Sequence, residues 1–277
     1  MPAEPKGCLL AVGGNEDKRS DKEVLRRLVG LAKGGLQHIE VIPTASRIPR
    51  EVAGDYISAF RSLGVREVGV LDVRSRDEAD RREWVERVQN AQAVFMTGGD
   101  QMRLATTLLG TKMHQAIVER YRSGGIVAGT SAGAAAMSAN MIAGGDEGAM
   151  RKSSVRLAPG LGLIEGCVID THFLDRGRIG RLLEVVASNP GHAGLGVGED
   201  TAILVREGHM VEVVGSGVVV VMDGNRIRST NTATAPPGYP IAVEGVLVHT
   251  LAPGYRYDLR THTYLGPSEP LLRPPVM

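Results

Sequence analysis

Aromatic residues are scarce in this chain. Phe, Trp and Tyr make up 4% of its 277 residues, which leaves little material for platforms that stack unpaired bases. Charge of one sign is missing as well. The 32 Lys and Arg nearly balance 31 Asp and Glu, and no basic tract suits counterion release from a nucleic acid. Cysteine is almost absent. Cys8 and Cys167 each sit in an apolar run that reads as a buried strand, which predicts inert core thiols, and no CxxC or Cys/His cluster suggests zinc. Long apolar runs are absent too. The longest, such as 218–222, are strand-sized and far short of the ~18 residues of a membrane span. The N-terminal Met-Pro-Ala-Glu-Pro-Lys lacks the apolar segment of a secretory signal. The expectation is a cytoplasmic protein with neither nucleic-acid nor membrane partners.

What the chain does have is an alternation of strand and helix patterns. Apolar, strand-like runs fall at 8–12, 39–42, 67–71, 93–96, 126–128 and 168–171. Amphipathic helical patterns lie between or after them at 21–32, 50–63, 80–89, 113–123 and 179–188. Such alternation with short connections predicts an α/β fold, a mostly parallel sheet with helices on both faces. In such sheets functional sites collect at the carboxyl ends of the strands. Beyond Leu195 the texture changes to short β-rich runs joined by Gly turns, so residues 201–266 are expected to form an antiparallel β extension of the sheet. The stretch 229–239 reads as a surface loop, and the Pro-rich tail from Pro267 as frayed. No repeat or linker is visible, so residues 1–277 are expected to form one domain.

Several of the predicted strand ends carry polar or glycine-rich clusters. Gly129-Thr130-Ser131-Ala132-Gly133 follows a strand and precedes a run of small helical residues. The pattern Gly-x-Ser-x-Gly needs this context: a tight turn presents the Ser hydroxyl above the sheet, and small flanking residues let neighbouring strands approach. The amide of Ala132 then points at the same space and is a candidate oxyanion donor. The competing reading is a Ser that only N-caps an Ala-rich helix. Among seven histidines, His172 ends a strand at the carboxyl side, making it the candidate base. The candidate acid is Glu199 or Asp200; adjacent residues of an extended segment point opposite ways, so one of them faces His172. Gly98-Gly99 permits close backbone approach to a ligand, which makes the Gly99 amide a second candidate oxyanion donor. Gln101 is a candidate for orienting substrate, and Asp100 for capping the following helix. Gly13-Gly14 belongs to no Gly-x-Gly-x-x-Gly or Walker pattern, so no nucleotide is expected. Arg176, Arg178 and Arg181 crowd a predicted helix start, where the dipole disfavours them. Arginine forks bind carboxylates bidentately, and the cluster points to an anionic substrate with several carboxylates.

Taken together these segments resemble the cyanophycinases, within the serine peptidase family that also contains aspartyl dipeptidase. The matching pieces are 13–18, 95–101, 129–134, 158–163, 170–182 and 194–202, in that order. The resemblance implies a fold akin to class I glutamine amidotransferases, a homodimer, and a metal-free serine exopeptidase without cofactor. The implied substrate is cyanophycin, a polyaspartate bearing an arginine on each β-carboxyl, released as β-Asp-Arg dipeptides. It implies Ser131 as nucleophile, His172 as base and Glu199 as acid, with Gln101, Asp170, Thr171, Arg176, Arg178 and Arg181 in the substrate pocket. Asp170 is expected to offer a carboxylate to the substrate guanidinium. Thr171 stands where the family pattern carries Gln, and Gly198 where it commonly carries Asp, so one pocket contact is altered while the three reactive positions are kept. The order Ser131, His172, Glu199 differs from the Ser, acid, His order of lipase-like hydrolases. Two rivals stay open: a dipeptidase acting on short acidic or isoaspartyl peptides, and a non-catalytic binding module.

Overall fold

The computed structural model describes residues 4–32 and 34–267; the tail beyond Pro267 lies outside them. The first half of the chain alternates β1 (Cys8–Val12), α1 (Glu23–Gly30), β2 (His38–Ile42), α2 (Pro49–Ser62), β3 (Glu67–Val70), α3 (Arg76–Ala79), α4 (Arg82–Asn90), β4 (Ala93–Met96), α5 (Gln101–Leu108), α6 (Lys112–Ser123) and β5 (Ile126–Thr130). Next come α7 (Ala132–Ala135), β6 (Asn140–Gly145), β7 (Val155–Pro159), β8 (Cys167–Thr171), α8 (Ile179–Ser188) and β9 (Ala193–Val197). The rest is β10 (Thr201–Arg206), β11 (Met210–Gly215), β12 (Val219–Asp223), β13 (Ser229–Thr230), β14 (Val243–Glu244), β15 (Leu247–Leu251), β16 (Arg256–Asp258) and β17 (Thr263–Leu265).

The main sheet has nine strands in the order β17-β16-β11-β10-β1-β5-β4-β2-β3. The strands from β1 to β3 in that order run parallel. β10, β11, β16 and β17 extend the β1 edge antiparallel. Strands β1, β4 and β5 are buried along their whole length, as expected of parallel strands covered on both faces. Leu10, Val12, Phe95 and Ala128 face one way and pack with Val24, Leu25 and Leu28 of α1 and Tyr56 and Phe60 of α2. Leu9, Ala11, Met96 and Val127 face the other way, against Val88 of α4, Leu104 of α5 and Ile117 of α6.

The strand ending at Thr171 does not continue the parallel sheet. β8 and β9 form a parallel pair in a separate four-stranded sheet, ordered β15-β12-β9-β8. The C-terminal extension is therefore divided, with β12 and β15 joining this second sheet. Ile169, Leu195, Val197 and Val221 press it onto the face of the main sheet that also carries α4, α5 and α6, and Leu182, Val185 and Val186 of α8 cover its outer face. Strand-to-strand partition is long-range information, which local periodicity does not carry. The free thiols of Cys8 and Cys167 are buried, as expected. No helix among the described residues is long and apolar enough to cross a membrane.

Candidate active site

Three strand ends from the two sheets meet at one point. β5 ends at Thr130, β8 at Thr171 and β9 at Val197, so the residues that follow converge although they are far apart in sequence. The connector is the segment after β1. Its consecutive carbonyls at Val12, Gly13 and Gly14 accept the amides of Ser131 (2.9 Å), His172 (2.8 Å) and Asp200 (2.9 Å). These three residues all have left-handed backbones, with φ of 51° at Ser131, 47° at His172 and 47° at Asp200. Such geometry costs roughly 1–3 kcal/mol per non-glycine residue and persists only where the surroundings enforce it.

The Ser131 hydroxyl makes no capping bond to α7, so the simple N-cap reading does not describe it. It pairs instead with Nε2 of His172 at 2.9 Å. Nδ1 of that ring lies 2.7 Å from Oε1 of Glu199, whose Oε2 accepts from the Asn15 amide at 2.8 Å. Asp200 turns away; its carboxylate accepts from the Asp17 amide (3.0 Å) and the Ser216 hydroxyl (2.7 Å). Of the two candidate acids, Glu199 is the one beside His172. The hydrogen bond from His172, and after it that from Asn15, holds the Glu199 carboxyl below the usual carboxylate range. Because Glu199 binds Nδ1, Nε2 is left toward the serine, so the ring can take the hydroxyl proton.

Beneath the turn lies a buried carboxylate with no counterpart in the sequence expectations. Glu16 is 3% exposed. It accepts from the Thr130 hydroxyl at 2.6 Å and from the Tyr56 hydroxyl, and Lys18 Nζ stands 3.4 Å away. Thr130, the residue before the serine, is thereby fixed from below. Burial, reinforced by the Glu16 charge, pushes the Tyr56 hydroxyl well above its ordinary range and keeps it a proton donor.

The pocket in front of Ser131 encloses about 430 Å³, part of it open to solvent, and is lined by Gly99, Gln101, Ser131, Ala132, Thr171 and the three arginines among others. Ala132 opens α7, so its amide has no partner within the helix. A carbon added at Gly98 would stand 3.4 Å from Ser131 Cβ, and one at Gly99 would meet the Ala45 carbonyl at 2.2 Å. Gly98 therefore stands beside the serine and Gly99 is packed tightly on the Ala45–Ser46 backbone, while the Gly99 amide donates to no group among the described residues. Asp100 caps α5 through the amides of Met102 and Arg103.

A model of the family described as peptidase family S51 matches residues 8–213. A cyanophycinase of Geminocystis herdmanii (strain PCC 6308) is 38% identical over 259 residues, covering 93% of this chain and 95% of that protein. A cyanophycinase of Nostoc sp. (strain PCC 7120) is 38% identical over 266 residues, covering 95% and 89%. The chain belongs to peptidase family S51. It is a serine-type peptidase. A crystal structure of a peptidase from an acI-B1 Actinobacterium has the same fold, with a TM-score of 0.67, 24% identity and coverage of 92% of this chain and 98% of that one.

The arginines of this S51 chain are not equivalent. Arg181 grips Asp170 bidentately through Nε (2.6 Å) and Nη2, and both are buried. Asp170 therefore does not hold out a free carboxylate to a guanidinium, contrary to expectation, because both its oxygens are taken by Arg181. Arg178 is also buried; it donates to the Thr171 carbonyl at 2.7 Å and to Glu147, and its Nη1 stands 3.7 Å from Asp170. These acids offset the dipole penalty at the start of α8. Arg176 differs: it is exposed, lines the pocket, and has no side-chain partner among the described residues. Gln101 spends its amide nitrogen on the Ile142 carbonyl at 2.8 Å. Thr171 is buried at the pocket wall. The sequence reading missed Asn15, Glu16 and Glu147. The first two lie in the polar cluster after β1, whereas nothing in the Gly-rich stretch around Glu147 marks it.

Proposed function

We propose that this peptidase hydrolyses the α-linked Asp-Asp backbone of cyanophycin and releases β-Asp-Arg dipeptides, with Ser131 as nucleophile, His172 as base and Glu199 as acid. The observation that carries the reading is the continuous chain of hydrogen bonds from the Ser131 hydroxyl through His172 to Glu199, at 2.9 and 2.7 Å. Relatives bearing the name cyanophycinase, 38% identical along more than nine-tenths of this chain, support cyanophycin as the substrate.

In this mechanism His172 takes the Ser131 proton as Oγ bonds to the scissile carbonyl carbon. The developing oxyanion is held by the amides of Ala132 and Gly99. Collapse breaks the C–N bond, and His172 delivers the proton to the leaving amine. Water, deprotonated by the same ring, then cleaves the acyl-enzyme and restores the serine. Arg176 is the arginine left to meet a substrate carboxylate. Arg178 and Arg181 shape the wall, held there by Glu147 and Asp170. The proposal includes a homodimer in the cytoplasm; light scattering of the purified chain tests the dimer, and cell fractionation tests the location.

Incubation with cyanophycin followed by mass identification of the products tests the substrate. β-Asp-Arg release that is lost by several orders of magnitude in Ser131→Ala is expected. Cleavage of free aspartyl dipeptides with the polymer untouched would instead make this a dipeptidase. Polymer binding without cleavage would contradict the proposed hydrolysis of cyanophycin.

A further inference from the structure

We propose that Asn15 is a positioning residue: its side-chain amide fixes the Glu199 carboxylate so that the other oxygen stays on His172. The proposal rests on the Ser131–His172–Glu199 reading above. An ionised carboxylate only accepts hydrogen bonds, so the group at 2.8 Å from Oε2 must be the amide NH2 of Asn15. With Oε1 on His172 and Oε2 on Asn15, both ends of the carboxylate are held. The Glu199 side chain is 30% exposed, so a single hydrogen bond would leave it free to swing toward water. Its backbone is anchored separately, by the Asp175 carboxylate accepting its amide at 3.1 Å.

The holder itself is rigid. Asn15 follows Gly14, whose carbonyl takes the Asp200 amide, and a carbon added at Gly14 would lie 2.3 Å from Cε1 of His172. Asn15 has φ 51°, a conformation that Gly, Asn and Asp adopt most readily. Of these three, Asn alone offers a neutral donor to Glu199; Asp would set a second negative charge there, and Gly would offer nothing. The titratable and charged groups around Glu199 are the His172 ring, the Arg176 guanidinium, and the carboxylates of Asp175 and Asp200. None of them supplies the second hydrogen bond. This gives the glycine-rich cluster after β1 a function that its sequence did not disclose.

Asn15 is exposed, and Asn15→Asp and Asn15→Gly both keep the left-handed backbone, so both variants are expected to fold. The test follows the His172 ring through pH by NMR in the full chain, alongside kcat and KM. In Asn15→Asp the extra anion should favour the imidazolium and move the ring titration, with the acid limb of kcat/KM, up by about one pH unit. In Asn15→Gly, kcat should fall about tenfold, the loss expected for a hydrogen bond to a charged group, with KM held within about twofold. Ring titration and kcat unchanged in both variants would overturn the proposal. So would a fall in kcat with the ring titration unmoved in Asn15→Asp, since Asn15 would then be acting on something other than Glu199. Failure of the underlying reading would show separately, as peptide cleavage that survives Ser131→Ala; the ring titration reports on Asn15 whether or not peptide is cut.

Discussion

At Ser131 the backbone stands at φ 51°, ψ −111°, and the side chain that a helix cap would use locally is spent on His172 instead. The strain is tolerable because the Ser131 amide is bonded to Val12, and Thr130 to Glu16. Glu199 shows how such a site couples to pH. Its carboxyl is depressed by His172 and Asn15, so its contribution to stability is fully present above the ordinary Glu range, near pH 4.3, and is lost as pH falls through the depressed value. Glu199→Gln should flatten the dependence of thermal stability on pH in that acid window, as measured by melting curves between about pH 2 and 5. Asp170 and Arg181 make the opposite kind of pair, buried and closed on themselves. Asp170→Asn leaves a buried guanidinium without its charge partner and should cost about 3–5 kcal/mol in denaturant unfolding; a loss below about 1 kcal/mol would mean that Arg181 finds solvent. From sequence alone, an arginine fork waiting for a substrate carboxylate and one already filled by a protein carboxylate look the same, which is why the roles of Arg178 and Arg181 were not legible.

Among the elements, the segment after β1 ties the site together, since its carbonyls order three residues drawn from both sheets. Gly14 has φ 102° and lies against the His172 ring. Gly14→Ala should therefore push the ring off the serine and lower kcat by at least about a hundredfold, the order expected when a reacting group is misplaced by about 1 Å, while circular dichroism stays that of the parent. Retained kcat would show that the ring can shift and still work. The strands and longer helices were legible because apolar spacing fixes them: Val24, Leu25 and Leu28 on α1, or the fully buried β1 and β5. Helix α5 was not, since Gln-Met-Arg-Leu-Ala-Thr-Thr-Leu has a weak apolar stripe, and only Asp100 announced it. The β6–β7 hairpin escaped notice because its strands are Gly-rich or largely exposed.

For the molecule as a whole, two sheets converge their strand ends on one pocket, and this arrangement makes residues 41 and 27 positions apart into neighbours. The sequence carried the rule that chemistry gathers at strand carboxyl ends, and with it the neighbourhood of Ser131, His172 and Glu199. It did not carry the division into two sheets, which depends on pairings between distant strands such as β9 with β12. The central claim is that Ser131 is the attacking group. Treating the chain with a fluorophosphonate and mapping the adduct by peptide mass tests this most directly. A single adduct on the peptide containing Ser131, absent from Ser131→Ala together with cleavage of the polymer, is the predicted result. An adduct on another residue, or labelling and cleavage that persist in Ser131→Ala, would contradict it.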